Sequence, residues 1–172
     1  MSLNKMCTFS AAMFLAVAAC AQQPAATGKT KGGYPLVQQY DKTVTYASTA
    51  DVAALIDKAE KESKNGSPIV VGEFLKLAPY TVNLEYRVKD RHGDVGLHPK
   101  SAELIYILQG SGTIITGGTV AANRMSIDGG ESQKIAKGDF LLIPEGVPHW
   151  INRVDQTIEL MSIFVPRPIP AQ

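Results

Sequence analysis

The sequence predicts an all-β domain, a sandwich or barrel of short strands, with one N-terminal helix packed outside it. Short apolar runs of strand length follow one another from Ile69 to Val165, separated by Gly-Gly, Lys-Gly-Asp and Pro-Glu-Gly breaks, the spacing of a two-sheet domain. Val82, Leu84, Tyr86 and Val88 alternate with Asn83, Glu85 and Arg87, which is a half-buried strand of period two. Only one stretch carries a good helical period. Val52, Leu55, Ile56 and Ala59 fall on one face, Ser48 or Thr49 can cap it, Asp51 sits in the first turn, and Asn65-Gly66 then Pro68 stop it. Asp57, Lys58, Lys61 and Glu62 make a solvated face, so the helix belongs on the outside of the sheets.

In chain order, residues 1–19 are an address. Lys5 supplies a positive region and Phe9 to Ala19 an apolar run of about eleven residues, too short to span a bilayer and suited to a secretory signal. Val17-Ala18-Ala19-Cys20 resembles the lipobox of bacterial lipoproteins. The resemblance implies cleavage before Cys20, acylation of its thiol, and an exported lipoprotein of the periplasm or cell envelope; Ala21 after the cysteine leaves the outer membrane open as its destination. Cleavage after Ala21 fits the small-residue rule as well and would give a soluble periplasmic product. Cys7 and Cys20 are the only cysteines, so the mature domain has no disulfide framework and no thiolate ligand. Residues 20–42 are rich in Gln, Pro, Ala, Thr, Gly and Lys with little periodicity, which reads as a lipidated, flexible linker. Residues 43–172 are expected to form a single domain whose barrel core runs from about residue 69 to about residue 166.

Within that core, Ile69 to Leu77 is one strand, and the Ala78-Pro79 break leads into the alternating strand. Arg91-His92-Gly93-Asp94 is a turn. Glu103 to Gln109 is an apolar run that Gly110-Ser111-Gly112 is expected to end. Further strands are expected at Thr113–Thr116, Gln133–Ala136, Phe140–Ile143, His149–Asn152 and Ile158–Val165. Both faces of Glu103–Gln109 are apolar, so the helix or a second subunit must cover its outer face. The insert from Gly117 to Lys134 reads as a hairpin tip or a loop at the barrel mouth, more simply a connection than a lid. Net charge is +1, with no basic stripe and no nucleic-acid motif, which argues against nucleic acid as a partner.

The chemistry concentrates at two places. His98 precedes a polar break, Pro99 to Ala102, and Glu103 opens the apolar run. If Val95–His98 is a partner strand, the two side chains lie on strands roughly 4.8 Å apart and can converge on one ion. A buried carboxylate without a partner costs several kcal/mol, roughly, and needs a cation or hydrogen-bond donors to stay charged. A further ligand is offered by His149 in Gly138-Asp-Phe-Leu-Leu-Ile-Pro-Glu-Gly-Val-Pro-His149-Trp150. Histidine is scarce, three in the whole chain, which favours pocket roles for His98 and His149. His92, in its glycine-flanked loop, is more simply a solvated turn residue than another ligand.

These segments resemble the two motifs of the cupin superfamily. His98, Glu103 and Gly110 fit the first, with Gly96 where that pattern has its earlier histidine; Gly138, Pro144, Gly146 and His149 fit the second, with Asn152 one residue early for its closing asparagine. The resemblance covers roughly residues 69–166 and implies a cupin-like double-sheet jelly-roll barrel, usually a homodimer. It also implies a divalent transition metal, with iron, manganese, zinc and nickel all open. With glycine at position 96 the ligand set shrinks to His98, Glu103 and His149, a composition that still holds such ions with open positions. A metal-free pocket in which the same three residues bind a polar ligand stays open.

Two readings of function follow. In one, the metal activates dioxygen or water, or acts as Lewis acid on a keto, enol or hydroxy-acid substrate, making the protein an oxygenase, isomerase or lyase. In the other, a barrel lined by Val82, Leu84, Tyr86, Ile105 and Ile107 holds a small molecule without turnover, or serves only as a dimer module. Tyr86 and Tyr106 are the candidate acid or base groups, and no catalytic residue is fixed by the sequence.

Overall fold

The computed structural model describes residues 28–166. The signal segment and Cys20 lie outside the described residues. The elements in order are β1 (Gly28–Lys29), β2 (Pro35–Gln38), α1 (Thr49–Ser63), β3 (Ile69–Leu77), β4 (Tyr80–Arg87), β5 (Ser101–Thr116), β6 (Thr119–Val120), β7 (Ile127–Asp128), β8 (Glu131–Ala136), β9 (Phe140–Ile143) and β10 (His149–Pro166). The fold is an all-β jelly-roll barrel with one helix on its outside. Among the described residues no helix is long and apolar enough to cross a membrane.

The helix begins as its sequence dictates. The Ser48 side chain accepts from the Asp51 backbone N–H, and the Asp51 carboxylate accepts from the Ser48 backbone N–H, a complete capping box. Leu55 and Ala59 face inward and are buried; Leu55 clusters with Phe74 and Leu84, against which the partly buried Val82, Leu108 and Met161 pack. Gly72 on β3 lets the helix come this close, because a Cβ there would stand 2.6 Å from Leu55 Cδ1. The helix therefore covers the outer face of β3 and β4.

β10 lies between β4 and β5 and pairs antiparallel with both. Its C-terminal half, Glu159–Pro166, faces Ser101–Gln109 of β5, and its N-terminal part, His149–Gln156, faces Ser111–Thr116. β9 pairs with the first half of β5 and β8 with the second. The two long strands are thus shared between the sheets and turn the corner at bulges. Between them lies the barrel core of Ile105, Ile107, Ile114, Ile135, Ile143, Ile151, Val154, Ile158 and Leu160.

Three expectations are corrected. Gly110 and Gly112 do not end a strand: β5 runs through them to Thr116. Their role is close approach, since a Cβ at Gly110 would lie 2.1 Å from the Thr157 carbonyl oxygen and one at Gly112 2.3 Å from that of Arg153; Gly110 also has φ 88°. Val95–His98 is not a strand; only Gly96 pairs, in an isolated antiparallel bridge with His149. The linker does not extend to residue 42. β1 and β2 join the sheet, with β2 parallel to β3, because polar side chains there are satisfied: Gln38 donates to the Tyr40 hydroxyl at 2.8 Å and to the Glu73 carbonyl at 3.2 Å, and Tyr40 N–H donates to the Glu73 carboxylate at 2.6 Å. Low apolar content does not prevent order where hydrogen bonds are completed in this way.

Candidate metal centre

Glu103 sits near the start of β5 with its side chain turned into the barrel, 4% exposed. His149 is the first residue of β10, and His98 lies in the loop before β5. Two sets of backbone bonds fix the histidines. Gly96 N–H donates to the His149 carbonyl at 2.8 Å and His149 N–H to the Gly96 carbonyl at 3.0 Å, while Gly146 N–H, in the turn before β10, donates to the His98 carbonyl at 3.0 Å. The two motifs are thereby stitched together by main chain.

The three side chains converge on one atom. Glu103 Oε2 lies 2.8 Å from His149 Nε2 and 3.2 Å from His98 Nε2, and the candidate ligand atoms all fall within 4.8 Å of one another. Ser162, fully buried on β10, donates its hydroxyl to Glu103 Oε1 at 2.6 Å. The His98 ring packs edge-on against Phe164, centroids 4.7 Å apart. Burial pushes the Glu103 carboxyl up, but the His149 and His98 imidazoles and the Ser162 hydroxyl outweigh it and hold the group far below the usual carboxylate range.

The site's need for a cation is visible in its orphaned atom. Glu103 Oε2 is buried with no donor in hydrogen-bonding geometry. His149 Nδ1 faces the Val147 carbonyl oxygen at 3.2 Å, a contact only an N–H satisfies, so the Nε2 lone pair points toward the carboxylate. Two lone pairs facing each other at 2.8 Å require a positive charge, either a proton on the ring or a metal ion shared by the set. The separations suit an ion: two neighbouring ligand atoms about 2.1 Å from one metal and about 90° apart are roughly 3.0 Å from each other. The residues present fit a divalent transition metal.

The centre opens into a cavity of about 840 Å³, within the range of small-molecule sites. Its lining is apolar at Ile69, Val71, Ile105, Ile151 and Phe164 and polar at Asn83, Glu85 and Arg87 of β4, where Arg87 and Glu85 lie across the strand pair from Ile69 and Val71. Here the expected lining is corrected. Ile105 lines the cavity, whereas Ile107 is sealed in the barrel core. Val82 and Leu84 face the other way, into the cluster with Leu55 of α1, and Tyr86, of the same strand parity, does not line the cavity either. The alternation of β4 was legible, but the helix takes its apolar face and leaves the polar face to the cavity, where Glu85 and Arg87 pair at 2.6 Å.

The candidate acid–base tyrosines are displaced as well. Tyr106 stacks on the exposed Phe140, centroids 4.3 Å apart. The tyrosine of the cavity is Tyr34, whose hydroxyl accepts from the Asp94 backbone N–H at 2.8 Å; it lies in the segment the sequence suggested was linker, so no signal marked it. His92 is an exposed residue of the irregular segment that follows the Lys89–Asp90 turn, so the turn lies earlier than expected; it packs edge-on against Trp150 at 5.2 Å and is not part of the cluster. The β6–β7 hairpin forms the expected tip between the motifs. From it Arg124, at φ 60°, reaches the cavity and clasps Val95: Val95 N–H donates to the Arg124 carbonyl at 2.8 Å and the Arg124 guanidinium to the Val95 carbonyl at 2.9 Å.

Comparison with known proteins agrees with this architecture. A conserved protein of unknown function from Streptococcus pyogenes is 13% identical, with TM-score 0.50 over 77% of this chain and 98% of its own. A salicylate 1,2-dioxygenase variant from Pseudoaminobacter salicylatoxidans is 10% identical, with TM-score 0.55 over 69% of this chain and 34% of that one. At such identities the likeness is one of fold. No curated protein matches the sequence. Residues 85–164 match the family description Cupin domain, a span that holds both motifs and all three converging side chains, and this part of the chain is a cupin domain.

Proposed function

We propose that the protein binds one divalent transition metal through His98, Glu103 and His149, and that the metal presents a small polar molecule to the cavity. The observation that carries this reading is the buried Glu103 Oε2, with no hydrogen-bond donor and an imidazole nitrogen on each side of it. A bound ion would supply Lewis acidity or the activation of water or dioxygen. The chain's own residues do the rest. Ser162 engages one carboxylate oxygen and leaves the other free, and the Val147 carbonyl holds the His149 ring with Nε2 toward the centre. Phe164, Ile105 and Ile151 give the cavity apolar lining that excludes water, while Asn83 and the Glu85–Arg87 pair offer polar contacts.

An oxygenase, isomerase or lyase is the enzyme form of this reading. A binding protein without turnover is the second, favoured by Tyr86 and Tyr106 both lying outside the cavity lining. Export as a lipoprotein anchored through Cys20, and pairing with a second copy, are part of the same proposal. The test is elemental analysis of purified protein with calorimetric titration of zinc, manganese and ferrous iron into the stripped form. One site per chain is expected; no uptake of any of these ions would remove the reading.

A further inference from the structure

The glycine at position 96 is informative beyond the histidine it replaces. A Cβ built on Gly96 would lie 2.3 Å from His149 Nε2, 2.8 Å from Cε1 and 2.9 Å from Cδ2. The imidazole therefore rests on the Gly96 backbone, in the space that any side chain there would occupy. Main chain holds both partners of this contact in place, since Gly96 and His149 exchange both backbone hydrogen bonds at 2.8 Å and 3.0 Å. Neither residue is free to step aside as a unit, so a side chain at position 96 must be accommodated by rotating the imidazole. Rotation would break the contacts that define the centre, Nε2 to Glu103 Oε2 at 2.8 Å and Nδ1 to the Val147 carbonyl at 3.2 Å.

We propose that Gly96 is a positioning residue: its missing side chain is the seat of the His149 ring, and the centre is built for three protein ligands and is not a four-ligand site that has lost one. The inference rests on the proposed metal site for its consequence, but the seat itself is a property of the metal-free chain. An octahedral ion held by three protein atoms keeps three positions for small ligands, one more than a four-ligand centre, which suits a chelating molecule together with a second small ligand.

The test uses the full chain and the variants Gly96→Ala, Gly96→His, His149→Ala and Gly96→Ala/His149→Ala. In the metal-free protein, Gly96→Ala is expected to shift the His149 ring signals in the NMR spectrum, assigned by their loss in His149→Ala, and to lower the melting temperature. In the His149→Ala background the same substitution is expected to cost little, because the ring it displaces is gone. The double variant therefore remains informative should Gly96→Ala alone fail to fold. Zinc and manganese affinity should fall at least about tenfold in Gly96→Ala, and Gly96→His should bind no more tightly than the native chain. Unchanged His149 signals in Gly96→Ala, an equal thermal penalty in both backgrounds, or an affinity gain of about tenfold in Gly96→His would each overturn the proposal. Failure of the native chain to take up metal would instead remove the functional reading, with the seat still decided by the metal-free measurements.

Discussion

Ser162 donates its hydroxyl hydrogen to Glu103 Oε1 at 2.6 Å, and in doing so decides which carboxylate oxygen is left for the imidazoles. The serine is fully buried and comes from the strand that also carries His149. Ser162→Ala leaves Oε1 unsatisfied and lets the carboxylate turn. We expect metal affinity to drop by about 10- to 100-fold, and stability of the metal-free protein by about 1–3 kcal/mol. Ser162→Thr, which keeps a hydroxyl, should restore part of the affinity. Equal affinity in the native chain and Ser162→Ala would show that the hydrogen bond orients nothing.

Removal of a converging side chain separates a shared ion from a structural carboxylate. His149→Ala and Glu103→Ala should be metal-poor yet folded, and Glu103→Ala without metal should be less stable than the native chain near neutral pH, because the buried Ser162 hydroxyl loses its acceptor and the stability contributed by the ionised carboxylate is lost with it. Metal stoichiometry and melting temperature on the same preparations check both points. Wild-type metal content in the two variants would end the shared-ion proposal.

The pH dependence has a definite sign. Glu103 lies well below its ordinary value of 4.5 in the fold, so its ionised form contributes stability that is complete above that value and is lost as the pH falls toward the folded value. The metal-free protein should melt at progressively lower temperature between about pH 5 and about pH 3, and Glu103→Gln should flatten that part of the curve. A native profile that overlays the Glu103→Gln profile throughout would contradict this.

Leu55 locks the helix to the sheet. It is 1% exposed and its side chain lies against the bare Cα of Gly72. Leu55→Ala should cost about 2–5 kcal/mol by chemical denaturation. The cavity lies on the other face of β4, so metal affinity at neutral pH should be retained.

For localisation, Cys20→Ala should move the protein from the membrane fraction to the soluble one, because acyl chains contribute about 0.8 kcal/mol per buried methylene. Fractionation with and without the substitution gives the answer, and unchanged partitioning would exclude the lipid anchor.

The motif residues and the helix were legible because their signals are local. A capping serine, an apolar stripe and a glycine-spaced turn act over a few residues, and Ser48, Leu55 and Gly146 occupy the places their neighbourhoods specify. What was illegible depended on which element lies behind a strand. The period of β4 is correct in the sequence, but nothing within Val82–Arg87 states that a helix claims its apolar face. Gly110 carries the same lesson, since a turn breaker and a close-approach glycine are written alike, and only the Thr157 carbonyl distinguishes them. Ser162 was hidden among apolar neighbours in a strand, its partner 59 positions away.

The central position of β10 has a consequence for the order of assembly. This strand is the last element described along the chain, yet it lies between β4 and β5 and brings His149, Ser162 and Phe164 to the centre. Its contacts with residues 82–87 and 101–116 are long-range in sequence, a topology whose loop-closure entropy makes folding slow, on a scale of roughly milliseconds to seconds. During synthesis β4 and the first half of β5 are made long before the strand that joins them, and a nascent chain that has not yet released residue 166 cannot close the sheet around Glu103. Barrel closure and construction of the cluster are therefore a single late event, completed by the same eighteen residues, His149–Pro166.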